Sequence, residues 1–99
     1  PYFLNNRGYI LLMLGETQDA LSDIDASIME DPHNAWAYRN KGIFYLKTGD
    51  AGSAIRMFSR ALEMSDFIEK GYYYLAEAYF AKTQIRTEPW VAQVVDGAG

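Results

Sequence analysis

Apolar residues recur every three or four positions along most of the 99-residue chain, as in Leu21, Ile24 and Ile28 and again in Ile55, Phe58 and Leu62. Side chains at that spacing share one face of a helix, whereas a half-buried strand would alternate every second residue. The pattern predicts helices over 2–14, 17–30, 35–48, 51–64 and 68–83. Gly15 and Gly49 stand where the first and third helices must end, and glycine takes the left-handed backbone of that position without steric cost. Asp50 is the expected N-cap of the fourth helix, a place that Glu16 and Thr17 share less cleanly before the second. Asp31 and Pro32 stop the second helix, because proline lacks an N–H and turns its predecessor away from helical angles. Asp66 fills the matching place after the fourth helix and predicts a less sharp stop.

Sliding the chain by 34 residues lays Gly8 on Gly42, Gly15 on Gly49, Ala20 on Ala54, Leu21 on Ile55, Ile24 on Phe58 and Ile28 on Leu62. A second shift of 34 brings Tyr38 onto Tyr72, Gly42 onto Ala76 and Tyr45 onto Tyr79 before the match fades. A fixed period of this length means stacked supersecondary units. Each unit is a pair of helices. Gly8, Gly42 and Ala76 fall in the middle of first helices, where a glycine costs about 1 kcal/mol against alanine, so close approach of the second helix must compensate. Ala20 and Ala54 are expected to face them, with the large aliphatic and aromatic residues packed around the contact. One hairpin cannot bury its own apolar face, so neighbouring hairpins share a continuous core.

These residues resemble the tetratricopeptide repeat, a 34-residue helix-turn-helix with small residues at its positions 8 and 20, glycine at 15 and large residues at 4, 11 and 24. Residues 35–68 carry the resemblance through Tyr38, Gly42, Tyr45, Gly49, Ala54, Phe58 and Ala61, departing at Asp66. Residues 1–34 carry it through Gly8, Gly15, Ala20, Ile24 and Pro32, with Leu4, Leu11 and Ser27 as milder departures. The resemblance implies an all-α fold, a right-handed superhelix of helical hairpins. Two full repeats, 1–34 and 35–68, are followed by the first helix of a partial third over 69–86. Thr83, Glu88 and Pro89 then break the pattern. The fifth helix is expected to run toward Arg86, after which 87–99 forms either a frayed tail or a short cap begun by Thr87 and built on Trp90, Val91, Val94 and Val95. Two and a half units suggest a section cut from a longer solenoid.

Composition narrows the function. Nine basic against thirteen acidic side chains give a net charge of −4, without the basic excess of a nucleic-acid binder. Zero cysteine excludes disulfides, thiolate metal sites and cysteine nucleophiles, and no apolar run reaches the ~20 residues that span a bilayer. A soluble chain is expected, with the cytoplasm as its place. His33, the single histidine, sits in the turn beside Pro32 with no neighbour to make it a base or a metal ligand. Asp19, Asp23, Asp25, Glu30 and Asp31 lack the loop spacing and central glycine of a calcium site and read as a solvated helix face. Neither a catalytic residue nor a cofactor is expected, which leaves a surface as the carrier of function.

In stacked hairpins of this family the first helices line the concave side, with repeat positions 2, 5, 9 and 12 pointing into it and 6 at the edge. Those positions hold Tyr2, Asn5, Asn6, Tyr9 and Leu12, then Trp36, Arg39, Asn40, Ile43 and Leu46, then Lys70, Tyr73, Tyr74, Glu77 and Phe80. Aromatic residues and arginine dominate binding hot spots. Trp36, Arg39 and Tyr73 are expected on display, while Tyr74 and Phe80 serve packing equally well. The first repeat sums to −5, the second to +2 and the remainder to −1, so the groove leans basic through Arg39, Lys47 and Lys70. A protein or peptide partner bearing acidic side chains or a C-terminal carboxylate would complement it. The subfamily that clamps the Glu-Glu-Val-Asp tail of chaperones matches only at Asn40 and Lys70; Asn5, Tyr9 and Tyr74 stand where its pattern wants lysine, asparagine and arginine. Two rival readings are self-association through Leu75, Ala78, Tyr79 and Trp90, and a regulatory or spacer segment of a larger protein.

Overall fold

The structure, a computed structural model, describes the backbone of residues 2–98 and the side chains of residues 3–84. It is all-α, with five helices: α1 (Tyr2–Met13), α2 (Thr17–Glu30), α3 (Ala35–Thr48), α4 (Ala51–Met64) and α5 (Gly71–Ala98). No strand occurs among the described residues. The first four helices fall where the apolar spacing puts them, and their ends have local causes. Gly15 and Gly49 take φ of 84° and 88°. After each, the chain closes its helix by a long backbone bond, Glu16 N to Leu11 O at 2.9 Å and Asp50 N to Tyr45 O at 2.9 Å, which satisfies carbonyls that the helix leaves open. Asp50 caps α4 as expected, accepting from Ser53 N at 3.1 Å. Glu16 makes no such cap bond. Asn34 caps α3 through Trp36 N and Ala37 N.

Each helix packs on the next, and the first helices of successive hairpins also touch, α1 on α3 and α3 on α5. The second helices α2 and α4 do not touch each other. First helices are therefore crowded on an inner side and second helices splayed on an outer one. The core lies between the two rows, with Leu12, Ile24, Ile43, Phe44 and Phe58 at its centre. The small residues have the packing role expected of them. A Cβ on Gly8 would stand 2.8 Å from Ile24 Cγ1, and one on Gly42 would stand 2.5–2.7 Å from three atoms of the Phe58 ring, so α1 and α3 sit nearly on their partner helices. The close contact is made by these large side chains; from Ala20 only the backbone carbonyl comes near, 3.4 Å from the Gly8 Cβ position.

The third unit is out of step with the 34-residue period. Four residues, 31–34, join α2 to α3, but six, 65–70, join α4 to α5. The longer turn tucks Ile68 against Leu62 and Ala61 and passes through Lys70 at a φ of 60°. Consequently Ala78, and not Ala76, occupies the buried small-residue position against the core that holds Phe58. Ala76 is exposed. The fifth helix starts at Gly71 instead of residue 68 and continues to Ala98 without a stop near Arg86. No described residue after Lys70 takes the left-handed backbone that ended α1 and α3. The packing expected of Trp90, Val91, Val94 and Val95 lies outside the described residues.

Candidate functional site

The inner side of the hairpin stack is built on α1, α3 and α5, and a polar seam crosses it. Asn40 Nδ2 donates to Asn5 Oδ1 at 2.8 Å and to the Asn5 carbonyl at 3.3 Å, tying α3 to α1. Its Oδ1 accepts from Arg39 Nε at 3.3 Å and Nη2 at 3.1 Å. Arg39 Nη1 donates to the Glu69 carbonyl at 3.1 Å, which fastens the turn before α5. Every side chain of the seam is buried, because adjacent first helices cover whatever points between them. Asn5 and Asn40 thereby serve as the internal polar ties of the stack, a pairing that stabilises only because each amide is satisfied.

Arg39 is 6% exposed, which corrects the expectation that it stands on display. Three rings surround its guanidinium: Trp36 at 4.6 Å, Tyr9 at 5.3 Å and Tyr74 at 5.8 Å from centroid to Cζ. They come from α3, α1 and α5, so the cation is the hub on which the three first helices meet. Among the described residues no carboxylate lies within 4 Å of it. Burial lowers the Arg39 pKa, against the opposing pull of Tyr74, Tyr9 and Glu69, but a guanidinium stays charged. Cation–π attraction and hydrogen bonds to neutral oxygens are what hold this charge. Burial raises the Tyr74 pKa, with Tyr9 adding to the rise and Arg39 opposing it. Tyr74 also stacks on Phe58 at 5.6 Å, so its half-buried ring belongs to the core.

Two depressions flank this hub. One, of about 380 Å³, is lined by Asn5, Asn6, Tyr9, Ile10, Trp36, Arg39 and Asn40, between α1 and α3. The other, of about 480 Å³, lies between α3 and α5 and is lined by Leu46, Tyr73, Ala76, Glu77, Phe80 and Ala81. Arg39 and Leu46 are two turns apart on α3 and share one side of it, so both depressions open on the same face. Tyr73, Ala76, Glu77 and Phe80 follow the one-face helical spacing of three and four. Trp36 at 38%, Tyr73 at 57% and Phe80 at 65% exposure are the large rings this face offers to solvent. A hydrogen bond to Glu77, together with its negative charge, holds the Tyr73 hydroxyl above the usual phenol pKa.

The other expected groove residues divide. Ile43 and Leu12 are buried in the core, because the contact of α1 with α3 closes over them. Lys70 lies in the turn before α5 and is exposed there, since the longer connection moves the helix start past it. Asn6 is exposed at the rim. The apolar end proposed for self-association is reduced, since Ala78 is buried and Leu75 packs against the core, leaving Tyr79 exposed; Trp90 lies outside the described side chains. Ala76 and Ala81 were missed as lining residues, and the signal for them was the run of small and aromatic residues at one-face spacing from Tyr73.

The acidic helix is partly neutralised within the fold. Arg7 grips Asp23 with two bonds of 2.6 and 2.8 Å, and that hydrogen bonding holds the Asp23 carboxyl below its usual range despite its burial. Lys41 reaches Asp25 at 2.9 Å. His33 is exposed in the turn, its backbone N–H donating to Asp31 Oδ1 at 3.0 Å. Among the described residues no three histidine or carboxylate groups converge as metal ligands, and no described helix is long and apolar enough to cross a membrane.

No family model matches the chain. DnaJ homolog subfamily C member 7 of Homo sapiens is 36% identical over 62 residues, covering 63% of this chain and 13% of that protein, and its Mus musculus counterpart gives the same figures. DnaJ homolog subfamily C member 3 of Gallus gallus is 33% identical over 81 residues, covering 78% of this chain and 16% of that protein. The chain thus corresponds to a sixth or less of the length of these curated relatives.

Proposed function

We propose that this chain is a tetratricopeptide-repeat segment that binds a protein partner by receiving an extended or helical stretch of it along the face of α1, α3 and α5. The observation that carries this reading is the two depressions along the first helices, one with the exposed ring of Trp36 and the other with those of Tyr73 and Phe80. Soluble domains scatter single apolar residues over their surfaces, but a grouped set around concave space is the mark of a binding site. The 34-residue spacing of Gly8 and Gly42 and of Gly15 and Gly49 supports the family, and the similarity to two DnaJ homologues supports a place within a larger DnaJ-related protein. Binding here needs no reaction, and the reading is non-catalytic.

A carboxylate of the partner suits the α1–α3 depression. Arg39 lines it as a largely buried cation to which no described residue brings a carboxylate within 4 Å, and Asn6 stands exposed at its rim. Peptides selected on the intact chain from an unbiased display library would test the reading. Trp36→Ala is expected to weaken the selected peptides by about thirtyfold, the effect of losing a ~2 kcal/mol aromatic anchor, while circular dichroism stays that of the parent. Tyr73→Ala is expected to weaken them as well. Unchanged affinity in both variants would refute the groove.

A further inference from the structure

The α3–α5 depression is unlike its neighbour in chemistry. Its lining is largely apolar, with Leu46, Ala76, Phe80 and Ala81. Among the described residues its only charged lining group is Glu77, and Glu77 forms no ion pair with any described residue. Lys47 follows Leu46 on α3 and likewise leaves Glu77 unpaired. Glu77 has instead an aromatic neighbour, since Tyr73 lines the same depression one turn away. An apolar hollow of this size takes one or two large side chains, and a carboxylate at its lip attracts a cation that arrives beside them.

We infer that the α3–α5 depression receives a large apolar side chain of the partner that is flanked by a lysine or arginine, with Glu77 pairing the cation. This rests on the groove reading above and extends it, because it gives the groove two chemically different ends. Of the basic residues that the sequence placed on the groove, Arg39 is enclosed by rings and Lys70 lies in the turn before α5, so neither lines this end. A partner segment carrying only acidic residues would place its charge against Glu77. A segment with an apolar residue next to a base avoids that repulsion and gains an ion pair at the rim of an apolar contact.

The test compares the intact chain with Glu77→Gln and Glu77→Lys in selections from one randomised ten-residue peptide display library, followed by affinity measurement of the enriched peptides. The parent is expected to enrich Leu, Met or aromatic residues adjacent to Lys or Arg. Changing that base to glutamine should weaken binding about three- to fivefold at low ionic strength, as for a partly exposed ion pair, and by less at high salt. Glu77→Gln should remove the preference for the base and keep the preference for the apolar residue, and Glu77→Lys should turn it toward Asp or Glu. Peptides that bind through Trp36 and Tyr73 without any basic preference, or with one that survives Glu77→Gln, would overturn this inference and leave the groove standing. Enrichment of no peptide by the folded parent would overturn both.

Discussion

Replacing Gly42 by alanine turns the closest helix contact of the fold into a measurement. The added methyl would fall 2.5, 2.7 and 2.7 Å from three atoms of the Phe58 ring, inside the distance that packed carbons tolerate. Phe58 cannot swing aside, because its side chain is fully buried and its ring is stacked on Tyr74. Overpacking of this severity costs about 2–3 kcal/mol, against which alanine recovers about 1 kcal/mol of helix propensity. The net loss is therefore about 1–2 kcal/mol, or roughly 5–15 °C in Tm for a domain of this length. Thermal and urea unfolding followed by circular dichroism measure it. Gly52→Ala is the control, since a methyl there meets nothing closer than 3.8 Å, and it is expected to stabilise by about 0.5–1 kcal/mol. Adding Phe58→Leu to Gly42→Ala should recover part of the loss, with a coupling of about 1 kcal/mol between the two sites. If Gly42→Ala stabilises the chain as Gly52→Ala does, α3 and α4 are not in the contact described and the packing argument fails.

Other substitutions test other links. Gly49→Ala forces a side chain into a φ of 88° and should cost about 1 kcal/mol in the same unfolding assays. Asn34→Ala removes the cap of α3 and should cost a similar amount, about 1 kcal/mol, whereas Asn34→Asp keeps the cap and gives up the bond that Nδ2 donates to Ser27 Oγ. Arg39→Ala should lower stability by more than about 2 kcal/mol, since it empties the ring enclosure and leaves Asn40 Oδ1 without its donor, whereas Arg39→Met should lose less by keeping the apolar stem. Arg39→Glu is accordingly expected to unfold the inner side as well as abolish binding. Asp23 and Asp50 have carboxyl pKa values below the usual range, Asp23 through Arg7 and Asp50 through the Ser53 hydroxyl and N–H, so their stabilisation is complete above about pH 4 and is lost as the pH falls through the lowered values. Unfolding midpoints measured from pH 6 downward should show an acid limb that flattens in Asp23→Asn and Asp50→Asn.

What could be read from the sequence was what local rules decide. The glycine stops, the Asp50 cap and the first four helices depend on residues near one another in the chain, and the Gly8 and Gly42 contacts follow from a repeat that states its period twice. The third unit defeated the reading because its residues fit two registers. Tyr72, Tyr73 and Tyr74 run consecutively, and both Ala76 and Ala78 are small, so shifts of 34 and 36 residues look equally good until the six-residue turn is seen. Arg39 was misplaced for a different reason. Its enclosure needs Tyr9 and Tyr74, 30 residues before it and 35 after, to converge with Trp36, and such convergence belongs to the stack and not to any one helix. Trp36 one turn before Arg39 was the single local sign that the cation had a ring to lie on. Trp36, Tyr73, Glu77 and Phe80 line the depressions of the inner side because they lie on faces that helical spacing alone identifies.

The most direct test of the groove is a chemical-shift map of the isotopically labelled chain titrated with a peptide selected on it. Perturbed amides and side chains are expected to cluster at Asn6, Trp36, Leu46, Tyr73, Glu77 and Phe80, with the outer helices α2 and α4 unaffected. A map centred on α2 and α4, or on the turn around His33, would contradict it.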